Sequence, residues 1–138
     1  MKFEEVVGDL FTASNDYYLV HCISADFKLG AGIATEFVKR YDMRNKLNNY
    51  PNPSNVSVIL IDNVFNLVTK KYYYAKPTVQ TMQSALELLK KMCLEHNITK
   101  LAMPCIGCGL DKLDWQVVRH MIKDIFSNTD IEIKVYKR

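Results

Sequence analysis

The chain has 138 residues, 49% of them hydrophobic and 24% charged, which suits one packed domain spanning residues 1–138 and argues against disorder. The formal net charge of +3 favours anionic ligands slightly and falls short of the basic surface of most nucleic-acid-binding proteins. The N-terminus lacks the pattern of a signal peptide, and no apolar stretch is long enough to cross a bilayer. We therefore expect a monomer without membrane contacts in the cytoplasm (or nucleus, if eukaryotic), with four free thiols.

The N-terminal half alternates strand and helix patterns. Residues 3–7 predict a short strand, and the apolar run 17–23 predicts a strand that is covered on both faces. Gly30 and Gly32 follow this strand and open a helix whose apolar residues recur at helical spacing as far as Tyr41. A short helix is expected from Met43, and residues 56–61 and 64–69 predict two strands of a hairpin.

The C-terminal half continues the alternation. Thr78 is the predicted N-cap of a helix over residues 79–93, and Asp114 is the predicted N-cap of a helix over residues 115–126. Strands are expected at residues 98–103 and 131–136. The pattern as a whole predicts an α/β protein with three α/β/α layers and a central mixed, mostly parallel six-stranded sheet.

A glycine-rich loop follows the strand predicted at residues 98–103. Gly107 and Gly109 stand one residue apart and Asp111 comes two residues later, before the last helix. Such a loop can point backbone N–H groups at a phosphate, although a tight strand-to-helix turn has the same pattern. Because ligands bind at the carboxyl ends of parallel strands, both glycine loops and Lys70 are expected to meet in one cleft.

Six segments in matching order resemble the macrodomains, which bind ADP-ribose, and cover nearly the whole chain. The nearest resemblance is to the terminal ADP-ribose protein glycohydrolases, with the bacterial antitoxin macrodomains that remove ADP-ribose from DNA bases nearby. The segments are Gly8-Asp9-Leu10-Phe11, His21-Cys22-Ile23-Ser24, Leu29-Gly30-Ala31-Gly32-Ile33-Ala34, Thr69-Lys70-Lys71, Lys76-Pro77-Thr78 and Met103-Pro104 through Gly107-Cys108-Gly109-Leu110-Asp111.

The resemblance implies a role for each matching residue. Lys70 would attack the anomeric carbon of the distal ribose, and Asp111 would be the acid/base that releases the product from the lysine. The other implied residues would bind ADP-ribose. They are Asp9 and Leu10 at the adenine, Ser24 and Asp26 near the ribose and diphosphate, Gly30, Ala31, Gly32, Ile33 and Ala34 at one phosphate, and Cys105, Ile106, Gly107, Cys108, Gly109 and Leu110 at the other.

The implied reaction needs neither a metal ion nor a cofactor, and three functions remain open. The leading hypothesis is hydrolysis of ADP-ribose from acidic residues of proteins, with a possible deacetylase side activity on O-acetyl-ADP-ribose. Removal of ADP-ribose from DNA is the second, and a non-catalytic ADP-ribose reader is the third. The chain lacks the Asn-Ala-Ala-Asn run of most macrodomains, which favours the lysine route over a water-activating one. Cys105 also replaces a residue that is often basic in close relatives.

Each candidate residue also has a simpler interpretation. Lys70 and Lys71 would ordinarily be a solvated pair at a strand end, and Asp111 would be a charge near a helix N-terminus. Cys105 and Cys108 have the spacing of a zinc or redox pair without a second pair of ligands. His21, in the middle of an apolar strand, is more typical of a hydrogen-bonded core histidine than of a ligand. Three tyrosines, residues 72–74, fit either packing or a lid over the ligand.

Overall fold

The computed structural model describes residues 1–138 and contains six strands, four α-helices and one 3₁₀ turn. No helix has the length and hydropathy needed to span a bilayer. In chain order the elements are β1 (Lys2–Val7), the 3₁₀ turn (Leu10–Thr12), β2 (Tyr18–Ser24), α1 (Ala34–Tyr41), α2 (Met43–Leu47), β3 (Ser57–Ile61), β4 (Val64–Lys70), α3 (Val79–Glu95), β5 (Lys100–Pro104), α4 (Trp115–Phe126) and β6 (Glu132–Lys137).

The six strands form one sheet in the order β1-β6-β5-β2-β4-β3. Every neighbouring pair is parallel except β3 and β4, which form the predicted antiparallel hairpin around Asp62 and Asn63. The chain runs from β2 through β3 to β4 on one side, and α3 then carries it across β2 to β5 on the other. The strand order therefore reverses beside β2, which is where α/β sheets usually bind ligands.

Each face of the sheet is covered by its own helices, so the fold has the three layers predicted from the sequence. One core packs α3 and α4 against the sheet, with Leu86, Leu89 and Ile122 fully buried. The other packs α1 and α2 against the opposite face through Phe37 and Met43. Loops at the carboxyl ends of the parallel strands are thereby fixed to a rigid base.

The predicted helix starts are confirmed, and the strands differ from prediction by one or two residues. Thr78 forms a reciprocal capping box with Thr81, and the Asp114 carboxylate accepts a hydrogen bond from the Gln116 N–H. Strand β5 begins at Lys100 instead of residue 98, because Asn97 has a left-handed φ of 55° and turns the chain first. Strand β4 extends one residue beyond the prediction, to Lys70.

His21 lies in the core, in agreement with the simpler interpretation. Its Nε2 lies 2.6 Å from Asn66 Oδ1, and its ring stacks on Phe37 with 3.9 Å between ring centroids. Burial lowers the pKa of His21 to about 4, against a smaller opposite effect of the bond to Asn66. The imidazole is therefore neutral at physiological pH and braces the sheet.

Candidate functional site

A cleft of about 970 Å³ opens at the carboxyl edge of the sheet, at the point where the strand order reverses. Its walls come from the ends of β2, β4 and β5 and from the loops that follow them. Both glycine loops and Lys70 line this one cleft, as the sequence predicted. The lining residues are Cys22, Ile23, Ser24, Lys28, Leu29, Gly30, Ala31, Gly32, Ile33, Ala34, Lys70, Tyr73, Lys76, Pro104, Cys105, Ile106, Gly107, Gly109, Leu110 and Asp111.

A register shift between β2 and β4 decides which way Lys70 faces. The ladder is regular up to Val68, which pairs with Ile23, but the next residue of β2, Ser24, pairs with Lys70 and not with Thr69. Strand β4 therefore contains one extra residue, a β-bulge. Because residues in register share a face of the sheet, the bulge places Lys70 on the same side as Ser24 and inside the cleft.

Lys70 and Asp111 form an ion pair in the cleft. Lys70 Nζ donates to Asp111 Oδ1 at 2.7 Å, and their side chains are only 14% and 15% exposed. This arrangement contradicts the solvated lysine pair that the residues alone would suggest. The neighbouring Lys71 is exposed, so the chain itself provides a contrast between the two lysines.

The first glycine loop leads into the N-terminus of α1. The helix begins at Ala34 after Ile33, whose side chain makes no capping hydrogen bond. The N–H groups of Thr35 and Glu36 donate to the carbonyls of Gly32 and Ile33, but those of Ile33 and Ala34 make no backbone hydrogen bond and lie at the positive end of the helix dipole. Gly32, with φ of 62°, makes the turn that aims them into the cleft. This loop has the features of an anion site.

The second glycine loop differs in structure from the first, because α4 does not begin there. The first residue of α4 is Trp115, four residues beyond Asp111, and Asp114 already caps that helix. The loop instead offers backbone N–H groups, since those of Gly107, Gly109 and Leu110 make no backbone hydrogen bond. The loop is thus a backbone nest that offers donors to an anion, as its sequence predicted, without the dipole of a helix N-terminus.

Gly107 is the position in this loop that no other residue suits. Its φ is 74°, and a Cβ placed there would lie 2.6 Å from Met82 Cε and 3.0 Å from Leu113 Cδ1. We expect Gly107→Ala to lower the free energy of unfolding by about 1–3 kcal/mol, from backbone strain and overpacking. Urea denaturation measures this loss of stability. Gly109→Ala is the control, because a Cβ at Gly109 meets nothing within 4 Å. Equal losses in the two variants would contradict this account.

The other nucleophilic side chains in and beside the cleft are not activated. Burial raises the pKa of Cys22, with the Asp111 carboxylate adding to the effect, and burial likewise raises the pKa of Cys105. Burial also raises the pKa of Cys108 to about 11. All three remain neutral thiols near pH 7, and a neutral thiol is a poor nucleophile and metal ligand. No group of three or more His, Cys, Asp or Glu side chains is arranged to hold a metal ion.

Asp26 does not line the cleft, but its hydrogen bonds hold the backbone beside it. Its carboxylate accepts hydrogen bonds from Ser24 Oγ at 2.6 Å, the Tyr73 N–H at 2.8 Å and the Lys28 N–H at 3.2 Å. Burial raises its pKa, but these three donors outweigh burial and leave the pKa below its usual value. Asp26 is therefore a weak base, and its role in the structure is to join the loop after β2 to the loop after β4.

The hydrogen bonds of Asp26 predict a pH-dependent loss of stability. Because the pKa of Asp26 is lower in the folded chain, its contribution is present above about pH 4 and is lost as the pH falls through the folded value. We expect Asp26→Ala to lower the free energy of unfolding by about 1–2 kcal/mol at pH 7 and by less below pH 4. Urea titrations at pH 7 and pH 3 measure the loss of stability at each pH. The control is Asp130→Ala, because Asp130 is exposed. An equal loss at both pH values would disprove it.

Besides Asp26, three residues predicted to bind ADP-ribose lie outside the cleft lining, namely Asp9, Leu10 and Cys108. Asp9 accepts a hydrogen bond from the Phe11 N–H at 3.0 Å and lies 3.8 Å from Arg138, while Leu10 is buried in the core. The adenine contacts of both residues stay a prediction. Cys108 turns its Sγ to the carbonyl of Ile106 at 3.2 Å. The contacts of Asp9 and Cys108 are thus local, and they stabilise the turns to which these residues belong.

Seven lining residues were not predicted as site residues: Cys22, Ile23, Lys28, Leu29, Tyr73, Lys76 and Pro104. Lys76 Nζ donates to the carbonyl of Leu110 at 2.6 Å and so ties the loop after β4 to the second glycine loop. The only signal in the sequence was the position of Lys76 in a segment shared with the macrodomains. Its contact depends on two loops that are 34 residues apart.

Known proteins resemble the chain in sequence and structure. The family model described as Macro domain matches residues 56–122. The human protein named ADP-ribose glycohydrolase OARD1 is 43% identical over 134 residues, which are 95% of this chain and 88% of that protein. The Mycobacterium tuberculosis protein named DNA ADP-ribosyl glycohydrolase is 26% identical over 94% of this chain and 40% of its own length.

Solved structures agree with these matches. The macrodomain of Mycobacterium tuberculosis DarG superposes with a TM-score of 0.86 at 26% identity, over 97% of this chain and 96% of that one. The macrodomain of Thermus aquaticus DarG also gives a TM-score of 0.86, at 21% identity, over 99% of this chain and 98% of that one. The chain belongs to the macrodomain family.

Proposed function

We propose that this protein is an ADP-ribosyl glycohydrolase that removes ADP-ribose from acidic residues of proteins. The observation that carries the proposal is the ion pair between Lys70 and Asp111, 2.7 Å apart in a cleft with two anion-binding loops. The human relative that is 43% identical is named an ADP-ribose glycohydrolase, which supports the same activity here. A cleft of about 970 Å³ is large enough for a dinucleotide-sized ligand.

The two loops bind the diphosphate, and this placement brings the distal ribose to Lys70. The uncapped N-terminus of α1 attracts one phosphate, and the backbone nest after β5 attracts the other. Apolar side chains beside them, including Ile33 and Ile106, exclude water from the reacting carbon. The ligand is thus fixed at both phosphates before the chemistry begins, which lowers the entropic part of the barrier.

Lys70 is the nucleophile and Asp111 moves its protons. A lysine attacks only as the neutral amine, and the Asp111 carboxylate is within reach of the proton that must leave. The nitrogen bonds to the anomeric carbon while the bond from that carbon to the acceptor oxygen breaks, so the acceptor departs as a carboxylate with the electron pair. The nitrogen then forms an imine with this carbon while the bond from the carbon to the ring oxygen breaks, and Asp111 gives that oxygen a proton. Water adds to the imine carbon and the carbon–nitrogen bond breaks with its electron pair on nitrogen, which frees ADP-ribose and the amine.

A second acceptor is a nucleobase of DNA. The same attack at the anomeric carbon displaces a base nitrogen with its electron pair, and Asp111 moves protons as before. Three exposed tyrosines beside the cleft favour this candidate. Two of the similar proteins are named DNA ADP-ribosyl glycohydrolases.

Product release from matched substrates tests the function. We expect the protein to release ADP-ribose from a peptide modified on glutamate, as measured by chromatography, and to bind free ADP-ribose in calorimetry. Turnover on a modified oligonucleotide alone would establish the second acceptor in place of the first. Binding of ADP-ribose without turnover of either substrate would refute the enzyme and identify a reader.

A further inference from the structure

Three consecutive tyrosines stand exposed at the mouth of the cleft. Tyr72, Tyr73 and Tyr74 are 46%, 61% and 69% exposed, so they are not core packing. The rings of Tyr72 and Tyr74 stack in parallel, with 5.3 Å between centroids and 2° between planes, and Tyr73 meets Tyr74 edge-on at 5.4 Å. The rings therefore form an ordered aromatic surface, large for a solvated segment.

Hydrogen bonds hold this segment on both sides of the cleft. The Tyr73 N–H donates to Asp26 Oδ2 at 2.8 Å, and the Ala75 N–H donates to the carbonyl of Tyr72 at 3.0 Å. Lys76 Nζ is bonded to the carbonyl of Leu110 across the opening. The rings are thus presented to solvent from a braced turn, which lowers the entropic cost of binding a partner.

Three exposed lysines belong to the same region: Lys71 and Lys76 flank the tyrosines in the chain, and the Lys28 and Tyr73 N–H groups share the Asp26 carboxylate. The carboxylate of Asp26 accepts three hydrogen bonds, and that of Asp111 is paired with Lys70. Asp26 keeps its negative charge, but the three exposed lysines outnumber it and leave the patch positively charged around flat aromatic faces, the combination by which proteins hold single-stranded nucleic acids.

We propose that Tyr72, Tyr73 and Tyr74, with Lys28, Lys71 and Lys76, form a platform for single-stranded nucleic acid. Bases beside the modified nucleotide stack on the rings, and the lysines contact the phosphates that join them. An acidic peptide matches the lysines but offers no row of flat faces for the rings. This proposal rests on the proposed function only where it places a modified nucleotide in the active site. Binding of an unmodified strand to the platform does not depend on that function.

Binding of unmodified strands tests the platform without any reaction. Fluorescence anisotropy measures the affinity of short single-stranded DNA and RNA for the wild type, for Tyr72→Leu/Tyr74→Leu and for Tyr72→Phe/Tyr74→Phe. We expect at least about tenfold weaker binding of both strands in the leucine variant, which keeps apolar area but loses the aromatic faces. The phenylalanine variant should match the wild type, because it keeps the rings.

Turnover separates this surface from the active site, since Tyr72 and Tyr74 do not line the cleft. The leucine variant should raise KM about tenfold for a modified oligonucleotide, with kcat and the KM for a modified peptide unchanged.

Equal strand binding by the wild type and the leucine variant, or equal changes in KM for both substrates, would overturn the platform. Strand binding through the tyrosines without hydrolysis of either substrate would refute the proposed function alone. Hydrolysis of the peptide by a wild type that binds no strand would refute the platform alone.

Discussion

Replacement of Lys70 by alanine is expected to reduce kcat on a glutamate-linked substrate by at least ~10³-fold, with ADP-ribose affinity within a few-fold of the wild type. The Lys70 amine is paired with a carboxylate that can take its proton, and the thiols beside it stay neutral. Binding survives because the diphosphate contacts come from backbone groups on two loops. Single-turnover kinetics and calorimetry with ADP-ribose measure the two effects separately.

Two further variants show whether the loss comes from chemistry or from charge. Lys70→Arg keeps a cation beside Asp111 but cannot lose its proton, so it should be as inactive as Lys70→Ala. Lys71→Ala removes the exposed neighbour and should retain wild-type turnover of a modified peptide. Normal hydrolysis of the peptide by Lys70→Ala would rule out the lysine mechanism.

Asp111→Asn is expected to lower kcat by about 10²–10⁴-fold, the usual contribution of a general acid/base. The amide occupies the same space and can still accept a hydrogen bond, but it cannot move a proton. Because Asp111 acts on the adduct that Lys70 forms, the double variant with Lys70→Ala should be no slower than Lys70→Ala alone. Steady-state rates of both single variants and the double variant measure this coupling.

The Asp111→Asn variant should also accumulate the covalent intermediate. With release impaired, the opened sugar remains joined to Lys70 as an imine, and a hydride reductant converts the imine to a stable amine. Intact-mass spectrometry then detects the protein with one sugar nucleotide attached, and Lys70→Ala serves as the blank. Multiplicative losses in the double variant, together with no adduct after reduction, would show that the two side chains act independently.

Sequence patterns predicted much of the fold and of the site. Apolar periodicity located all six strands, and local hydrogen-bonding chemistry identified Thr78 and Asp114 as caps, since these depend on residues close in the chain. The meeting of Lys70 with both glycine loops followed from one rule about parallel strands. The family resemblance, and not the pattern, suggested a partnership between Lys70 and Asp111.

Features that depend on distant segments could not be predicted. The register shift at Thr69 reflects pairing between β2 and β4, and no local property of Thr69 marks it. The bonds of Asp26 and Lys76 join loops that are 47 and 34 residues apart, so both residues seemed ordinary in the sequence. The exposure of the tyrosines likewise depends on where Asp26 holds the segment.

The extra residue in β4 affects how related chains should be aligned. Val68 pairs with Ile23 and Lys70 with Ser24, so a chain without a counterpart of Thr69 would present its lysine to the same side through an uninterrupted ladder. A chain with the same number of residues but no bulge would turn that lysine toward the opposite helix layer. Matching lysines in distant relatives should therefore be identified by their strand partner, with a gap of one position allowed before them.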